Sequence, residues 1–170
     1  MSGGGGSIGT LSVAQRLAAL CGVCLAAVAA ALVAQHGFDL QPCPWCILQR
    51  VIYLAIALAC AVAALSRTAA VRLGLAGVAL VLALLGAASA LWQHVVAAKS
   101  ASCNLTLADR ILNALGAEAL LPSLFQVTAN CADAAVSVLG VPFEYWSLAL
   151  YAALALALAH TLRAARATPG

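Results

Sequence analysis

The chain has 170 residues, of which 65% are hydrophobic and only 8% are charged, and its net charge is +3. A soluble domain carries about 25% charged residues, so this composition excludes a globular domain with a water-solvated surface. The length suffices for a single membrane domain, residues 1–170. The small positive charge is a membrane-topology signal here and does not point to a nucleic-acid partner.

Four long apolar segments follow one another along the chain and predict four membrane-spanning helices. They cover approximately residues 14–35, 47–66, 72–95 and 145–163. Each approaches the roughly 20 residues that cross a bilayer, and a helix closes its own backbone hydrogen bonds there. A cleaved signal peptide is the alternative for the first segment, but its apolar stretch exceeds the usual 7–15 residues or so. The predicted fold class is therefore all-α: a four-transmembrane-helix bundle.

Arginines flank these helices on one side of the membrane: Arg16, Arg67, Arg72, Arg163 and Arg166. By the positive-inside rule, the segments that carry them face the cytoplasm. Both termini are then cytoplasmic, and two loops, about 36–46 and 97–144, lie on the outer side.

Four of the seven cysteines fall in the predicted outer loops. Cys43 and Cys46 lie in the short loop, and Cys103 and Cys131 lie in the long one. Outside a bacterial cytoplasm, disulfides form and persist. We interpret these cysteines as two pairs, one local and one that closes a long loop with a contribution of roughly 3–4 kcal/mol from loop-closure entropy.

The other three cysteines, Cys21, Cys24 and Cys60, lie within apolar helices. Cys21 and Cys24 also have C-x-x-C spacing, and residues three apart share a helix face, so spacing alone leaves a bridge open. Apolar surroundings make thiols inert, however, and buried cysteine commonly behaves as a small hydrophobic residue. We expect all three to be core residues.

The motif Cys43-Pro44-Trp45-Cys46 lies at the N-terminus of the second predicted helix. There the helix dipole and free N–H groups favour a thiolate, and Arg50 adds positive charge one turn later. A thiolate is the attacking species in disulfide exchange, so this pair is a candidate redox centre.

Two other interpretations of the outer cysteines remain. One is a static disulfide that staples the short loop. The other is a zinc site built from all four thiolates, but Cys103 and Cys131 lack the short spacing typical of zinc ligands. We therefore expect no metal.

Between the two long-loop cysteines, leucine and isoleucine recur at helical spacing at Leu107, Ile111, Leu112 and Leu115. This pattern predicts a short amphipathic helix that lies on the membrane surface or packs on the top of the bundle. Either arrangement keeps the loop close to the bilayer and brings Cys131 within reach of Cys43.

These residues resemble the DsbB family of disulfide bond formation proteins of the bacterial inner membrane. The resemblance covers nearly all of residues 11–163 and rests on four short motifs. They are PCPWCILQR at 42–50, SCN at 102–104, NCA at 130–132 and LGVPFEYW at 139–146.

The resemblance implies a quinone-dependent thiol:disulfide oxidoreductase whose redox loops face the periplasm. A reduced DsbA-like partner would attack Cys103 of a Cys103–Cys131 disulfide, and the released Cys131 would attack Cys43. Cys46 would then emerge as a thiolate and pass two electrons to bound ubiquinone or menaquinone. We expect the protein to act as a monomer.

Three residues are predicted to contact the quinone: Cys46, Arg50 and His94. Arg50 lies four residues after Cys46 on the same helix face and would stabilise negative charge on the thiolate and on a quinone oxygen. His94 would supply a hydrogen bond or a proton. The alternatives are that Arg50 is only an interfacial anchor and that His94 is an interfacial residue with no functional role. Trp45, Trp92 and Trp146 are expected to be interface anchors, and no mechanism is assigned to His36, His160 or Glu144.

Two rival functions remain beside the oxidase. A carrier of reducing equivalents in the outward direction should have functional cysteines or a cofactor site that faces the cytoplasm, and this chain has only buried ones there. A structural or transport membrane protein with static outer disulfides is the remaining alternative.

Overall fold

The computed structural model describes residues 11–97, 106–134 and 136–167. Four helices in these ranges are long and apolar enough to cross a membrane: α1 (Val13–Phe38), α2 (Pro44–Leu65), α3 (Ala69–Val95) and α7 (Phe143–Ala167). The predicted all-α architecture of four membrane-spanning helices is confirmed. We call the end of the bundle at which α2 begins the cysteine end.

The described part of the segment between α3 and α7 lies at the cysteine end and is built from short elements. These are α4 (Leu107–Leu115), α5 (Ala117–Leu120), α6 (Pro122–Phe125) and an antiparallel hairpin of β1 (Ser137–Val138) and β2 (Val141–Pro142). Together they form a cap over the ends of the long helices.

The long helices extend beyond their predicted ends because of local capping chemistry. A capping box between Ser12 and Gln15 starts α1, and Asp39, in the left-handed conformation, ends it. Pro44 occupies the first turn of α2, where its missing N–H costs nothing, and Cys43 is the N-cap. The predicted short loop of residues 36–46 therefore shrinks to residues 39–43, and Cys46 belongs to the first turn of α2.

Alanine is the most frequent residue among the buried residues of the bundle core, and its small side chain allows the helices to approach closely. α2 packs between α1 and α3, and α3 packs on α7, whereas α1 and α7 make fewer contacts with each other. At Gly86, a Cβ atom would come within 2.3 Å of the Tyr151 ring, so glycine is needed there. The Tyr151 ring stacks on Tyr53 with 4.2 Å between centroids, and its hydroxyl donates to the Gln49 carbonyl at 2.9 Å. These contacts fix the rotation of α2 relative to α7.

The predicted amphipathic helix is present as α4 and packs on the bundle. Ala108 and Leu112 are buried at the start of α2, while Leu107 and Leu115 are exposed. Of the two predicted arrangements, the described contacts therefore favour packing on the top of the bundle. Two apolar side chains still face away from it.

Candidate functional site

Cys43 and Cys46 lie side by side at the start of α2. Cys43 is fully buried, and its Sγ accepts a hydrogen bond from the Cys46 N–H at 3.4 Å. The two Sγ atoms are 2.8 Å apart. This geometry follows from the sequence, because an N-cap residue and the third helical residue after it face each other across the first turn. The pair is arranged for thiol–disulfide chemistry.

Cys131 contacts the other side of Cys43. The backbone N–H groups of Thr128 and Ala129 both donate to the Pro42 carbonyl at 3.2 Å, which holds the loop against the segment that leads into α2. The Cys43 thiol is hydrogen-bonded to Cys131, which lowers the pKa of the Cys131 thiol. The same bond, the contact with Cys46 and burial together raise the pKa of Cys43. A thiolate is therefore favoured at Cys131, next to the sulfur that it is predicted to attack.

Cys103 lies outside the described residues, so its distance to Cys131 is not part of the described geometry. In the ranges that the structure describes, no group of three or more histidine, cysteine or acidic side chains is arranged to hold a metal ion.

A cavity of about 530 Å³ opens beside Cys46, between α1, α2, α7 and the cap. Its walls are mainly apolar, with alanines of α1 on one side and Tyr53, Phe143 and Leu150 on the other. The polar residues of its lining include Cys46, Gln49, Arg50, Gln93 and Glu144. Apolar walls with a few convergent polar groups are typical of a small-molecule site.

Arg50 is buried against this cavity, with only 5% of its surface exposed. Its guanidinium donates to Gln35 Oε1 at 2.6 Å, to the Leu124 carbonyl at 3.0 Å and to the Ala31 carbonyl at 3.3 Å. All three partners are neutral, so the positive charge is held in place without being neutralised by them. This burial argues against the alternative of a water-seeking interfacial anchor, whose head group would be solvated.

His94 does not line the cavity, but it reaches the cavity through Glu144. Its Nδ1 is 2.8 Å from Glu144 Oε1, and its ring lies 4.4 Å from that of Tyr145. Glu144 is 4% exposed and lines the cavity, whereas the His94 side chain is 30% exposed. The histidine and the carboxylate thus connect the cavity wall with the outside of the bundle.

Three polar residues of the site were not identified from the sequence: Gln49, Gln93 and Glu144. Gln93 donates from Nε2 to Cys46 Sγ at 3.3 Å, and Gln49 donates from Nε2 to Gln93 Oε1 at 2.8 Å. Their polarity could have identified them in the sequence, because a polar side chain in a membrane-spanning helix is energetically costly and usually faces a partner or a cavity. The two amides directly precede Arg50 and His94 in the sequence.

Comparisons with known proteins agree with this architecture. The profile of the family described as "Disulfide bond formation protein DsbB" matches residues 14–161. Disulfide bond formation protein B of Herminiimonas arsenicoxydans is 34% identical over 135 residues, which cover 79% of this chain and 85% of that protein. The protein of the same name from Ralstonia nicotianae is 37% identical over 130 residues, 75% of this chain and 80% of the relative. No solved structure matches the chain.

The family match spans all four membrane helices and the described outer cysteines. The relatives share more than 30% identity with this chain over about four-fifths of their own length. The protein is therefore a multi-pass membrane protein with a disulfide-forming oxidoreductase role, and it belongs to the DsbB family.

Proposed function

We propose that this protein reoxidises a DsbA-like periplasmic dithiol protein and passes the electrons to ubiquinone or menaquinone in the bacterial inner membrane. The observation that carries the proposal is the continuous row formed by Cys131, Cys43, Cys46 and the cavity. Each sulfur in this row contacts the next, and the last one lines a mainly apolar space.

The thiol steps begin with attack of the partner's thiolate on Cys103, which breaks a Cys103–Cys131 disulfide and releases Cys131. Cys131 then attacks Cys43, and Cys46 leaves as a thiolate. The partner's second thiol then closes the partner's own disulfide and releases Cys103, and Cys103 attacks Cys131 to re-form the Cys103–Cys131 bond and release Cys43. The partner's dithiol thus loses two electrons and two protons, and the Cys43–Cys46 disulfide is reduced to a dithiol. The contact between Cys131 and Cys43 and the lowered pKa of Cys131 support this direction of attack.

The cavity fits a quinone head group by its chemistry. Its walls are mainly apolar, and Arg50 and the amide of Gln93 would provide N–H donors to the carbonyl oxygens of a quinone. A bound quinone would supply a two-electron, two-proton acceptor. Arg50 would stabilise negative charge on Cys46 and on the acceptor, because its charge is preorganised in a site of low polarity.

The His94–Glu144 pair takes the proton role that was predicted for His94 alone. We assign Glu144, at the cavity wall, to donate a proton to a bound acceptor, and the partly exposed His94 to connect Glu144 to the outside. A positioned acid of this kind accelerates proton transfer.

The static-disulfide alternative is separated from this function by one assay. Purified protein in lipid nanodiscs is mixed with a reduced thioredoxin-like donor and a short-chain ubiquinone or menaquinone, and loss of the oxidised quinone spectrum is followed. We expect catalytic quinone reduction that stops when Cys43 is replaced by serine. Static disulfides would give neither turnover nor a mixed disulfide with the donor, and that result would refute the proposal.

A further inference from the structure

Two buried amides of neighbouring helices form a short hydrogen-bonded chain that ends on the Cys46 sulfur. Gln49 of α2 donates to Gln93 of α3 at 2.8 Å, and Gln93 donates to Cys46 Sγ at 3.3 Å. Both glutamines are 4% exposed. Gln93 is the one α3 residue among the described cavity-lining residues.

The first hydrogen bond fixes the orientation of the second. A glutamine amide carries an acceptor at one end and donors at the other. Because Gln93 Oε1 accepts from Gln49, its NH₂ group is the end that faces Cys46. Gln49 is itself held in place, since its backbone carbonyl accepts from the Tyr151 hydroxyl at 2.9 Å.

This arrangement is suited to a charged sulfur. A neutral thiol is a weak acceptor, so a buried amide aimed at it gains little in return for its desolvation. A thiolate forms a charge-assisted hydrogen bond, which is about twice as strong as one between neutral groups. The pair would also tie α2 to α3 if it were purely structural, but that role does not require the donor end of Gln93 to face the cavity thiol.

We propose that Gln93 is a catalytic hydrogen-bond donor that stabilises the Cys46 thiolate and directs its sulfur toward the cavity, and that Gln49 is a positioning residue for Gln93. The assignment rests on the proposed function, because Cys46 is there the thiol that faces the quinone. Arg50 supplies charge to the same sulfur from within α2, whereas Gln93 supplies a directed donor from α3.

The test measures thiol reactivity in reduced, quinone-free protein at neutral pH. Each cysteine's rate of reaction with iodoacetamide is read separately by mass spectrometry of its peptide. For Gln93→Leu, we expect the thiolate fraction of Cys46 to fall about tenfold, equal to about 1.4 kcal/mol. The remaining thiolate is more nucleophilic by roughly threefold, so the alkylation rate should fall about threefold. Gln49→Leu should give a smaller decrease, because the freed Gln93 amide then presents either end to the sulfur.

Two internal controls make the measurement decisive. Ser89 is also a buried polar residue of α3, but its hydroxyl donates to the Gly86 carbonyl of its own helix, so Ser89→Ala should leave Cys46 unchanged. Protection of Cys24 and Cys60 from the reagent reports that each variant is folded. An unchanged Cys46 rate in folded Gln93→Leu overturns the inference. An equal decrease in the alkylation rate of Cys131 also overturns the inference, because it would mean that the substitution disturbs the whole cysteine end and not Cys46 alone.

The assay does not involve a quinone, so the two proposals fail separately. A slower Cys46 in a protein that cannot reduce quinone would support the role of Gln93 and refute the proposed oxidase. Normal quinone reduction by the protein, together with unchanged Cys46 reactivity in Gln93→Leu, would support the proposed oxidase and refute the role of Gln93.

Discussion

Cysteine occurs in two regions of this protein, at the cysteine end and in the middle of the bundle, with very different surroundings. At the cysteine end, Cys43 contacts both Cys46 and Cys131 beside a polar group of the cavity. In the middle, Cys24 and Cys60 are just as buried, but they pack in the apolar core of the four helices. Burial is therefore not what distinguishes the two sets.

The difference lies in the polar groups around each sulfur. The thiols at the cysteine end have hydrogen-bond donors or a positive charge beside them that favour the ionised form. A thiol in the apolar core fills volume as an alanine or valine would. Substitutions on the two sides of this contrast should therefore differ widely in their effect on turnover.

The largest effect is expected from Cys103→Ser. Without the sulfur that the partner attacks, turnover with a protein dithiol should fall to background, while the Cys43–Cys46 disulfide still forms. The measurement is quinone reduction with a reduced thioredoxin-like donor, with the state of Cys43 and Cys46 read by thiol labelling. Normal turnover in this variant would show that the partner enters at another thiol.

Arg50→Ala should weaken the apparent affinity for quinone about tenfold or more, which corresponds to roughly 1.4 kcal/mol of lost charge interaction in a partly dry site. Arg50→Lys should keep part of the affinity, because it retains the charge but loses the planar donor fork. Steady-state kinetics with donor and quinone varied separately distinguish the two substrates.

Arg72→Ala is the matched control for Arg50. Arg72 lies at the opposite end of the bundle, where it donates to the Ser66 carbonyl at 2.6 Å. The apparent affinity of the Arg72→Ala variant for quinone should equal that of the wild type. An Arg50→Ala protein with the same quinone dependence would reduce Arg50 to a structural residue.

Glu144→Gln should lower kcat about tenfold and leave KM for quinone nearly constant. The amide keeps a hydrogen bond to His94 but cannot transfer a proton, and general acids usually contribute at least about 100-fold. We expect a smaller decrease here because water that reaches the open cavity would still supply protons. Glu118→Gln, at an exposed position of α5, is the control and should behave as wild type. An unchanged kcat in Glu144→Gln would assign the pair a packing role.

The smallest effect on turnover is expected from combined Cys21→Ala, Cys24→Ala and Cys60→Ala. Each change should cost roughly 1 kcal/mol of stability or less, typical of a modest core truncation. Oxidase activity of the folded protein should persist. Thermal unfolding and quinone reduction measured on one preparation separate the two outcomes, and inactivity in a folded triple variant would contradict the contrast.

The sequence was sufficient to predict the helices and to separate the cysteines, because a bilayer demands long apolar segments and these are local patterns. It misjudged the start of α2 by three residues, because Pro44 was not recognised as a first-turn residue. Cys46, which was predicted to lie in the short loop, is therefore a residue of the first turn of α2.

The rest of the site depends on how the helices are rotated and packed. Gln93 meets Cys46, and Glu144 meets His94, across separate helices, and the two residues of each pair are 47 and 50 positions apart in the chain. No spacing rule links such positions. The contact of Cys131 with Cys43 depends on the two backbone hydrogen bonds to Pro42, which only the folded loop forms.

The central claim is that electrons pass along the sulfur row at the cysteine end and bypass the core thiols. Single-turnover mixing of quinone-loaded protein with a reduced thioredoxin-like donor, acid quenching and mass spectrometry of each cysteine would test it most directly. We expect Cys103, Cys131, Cys43 and Cys46 to change redox state before or together with quinone reduction, while Cys21, Cys24 and Cys60 remain thiols throughout. Quinone reduction with Cys43 and Cys46 unchanged, or with oxidation of the core thiols, would contradict the account.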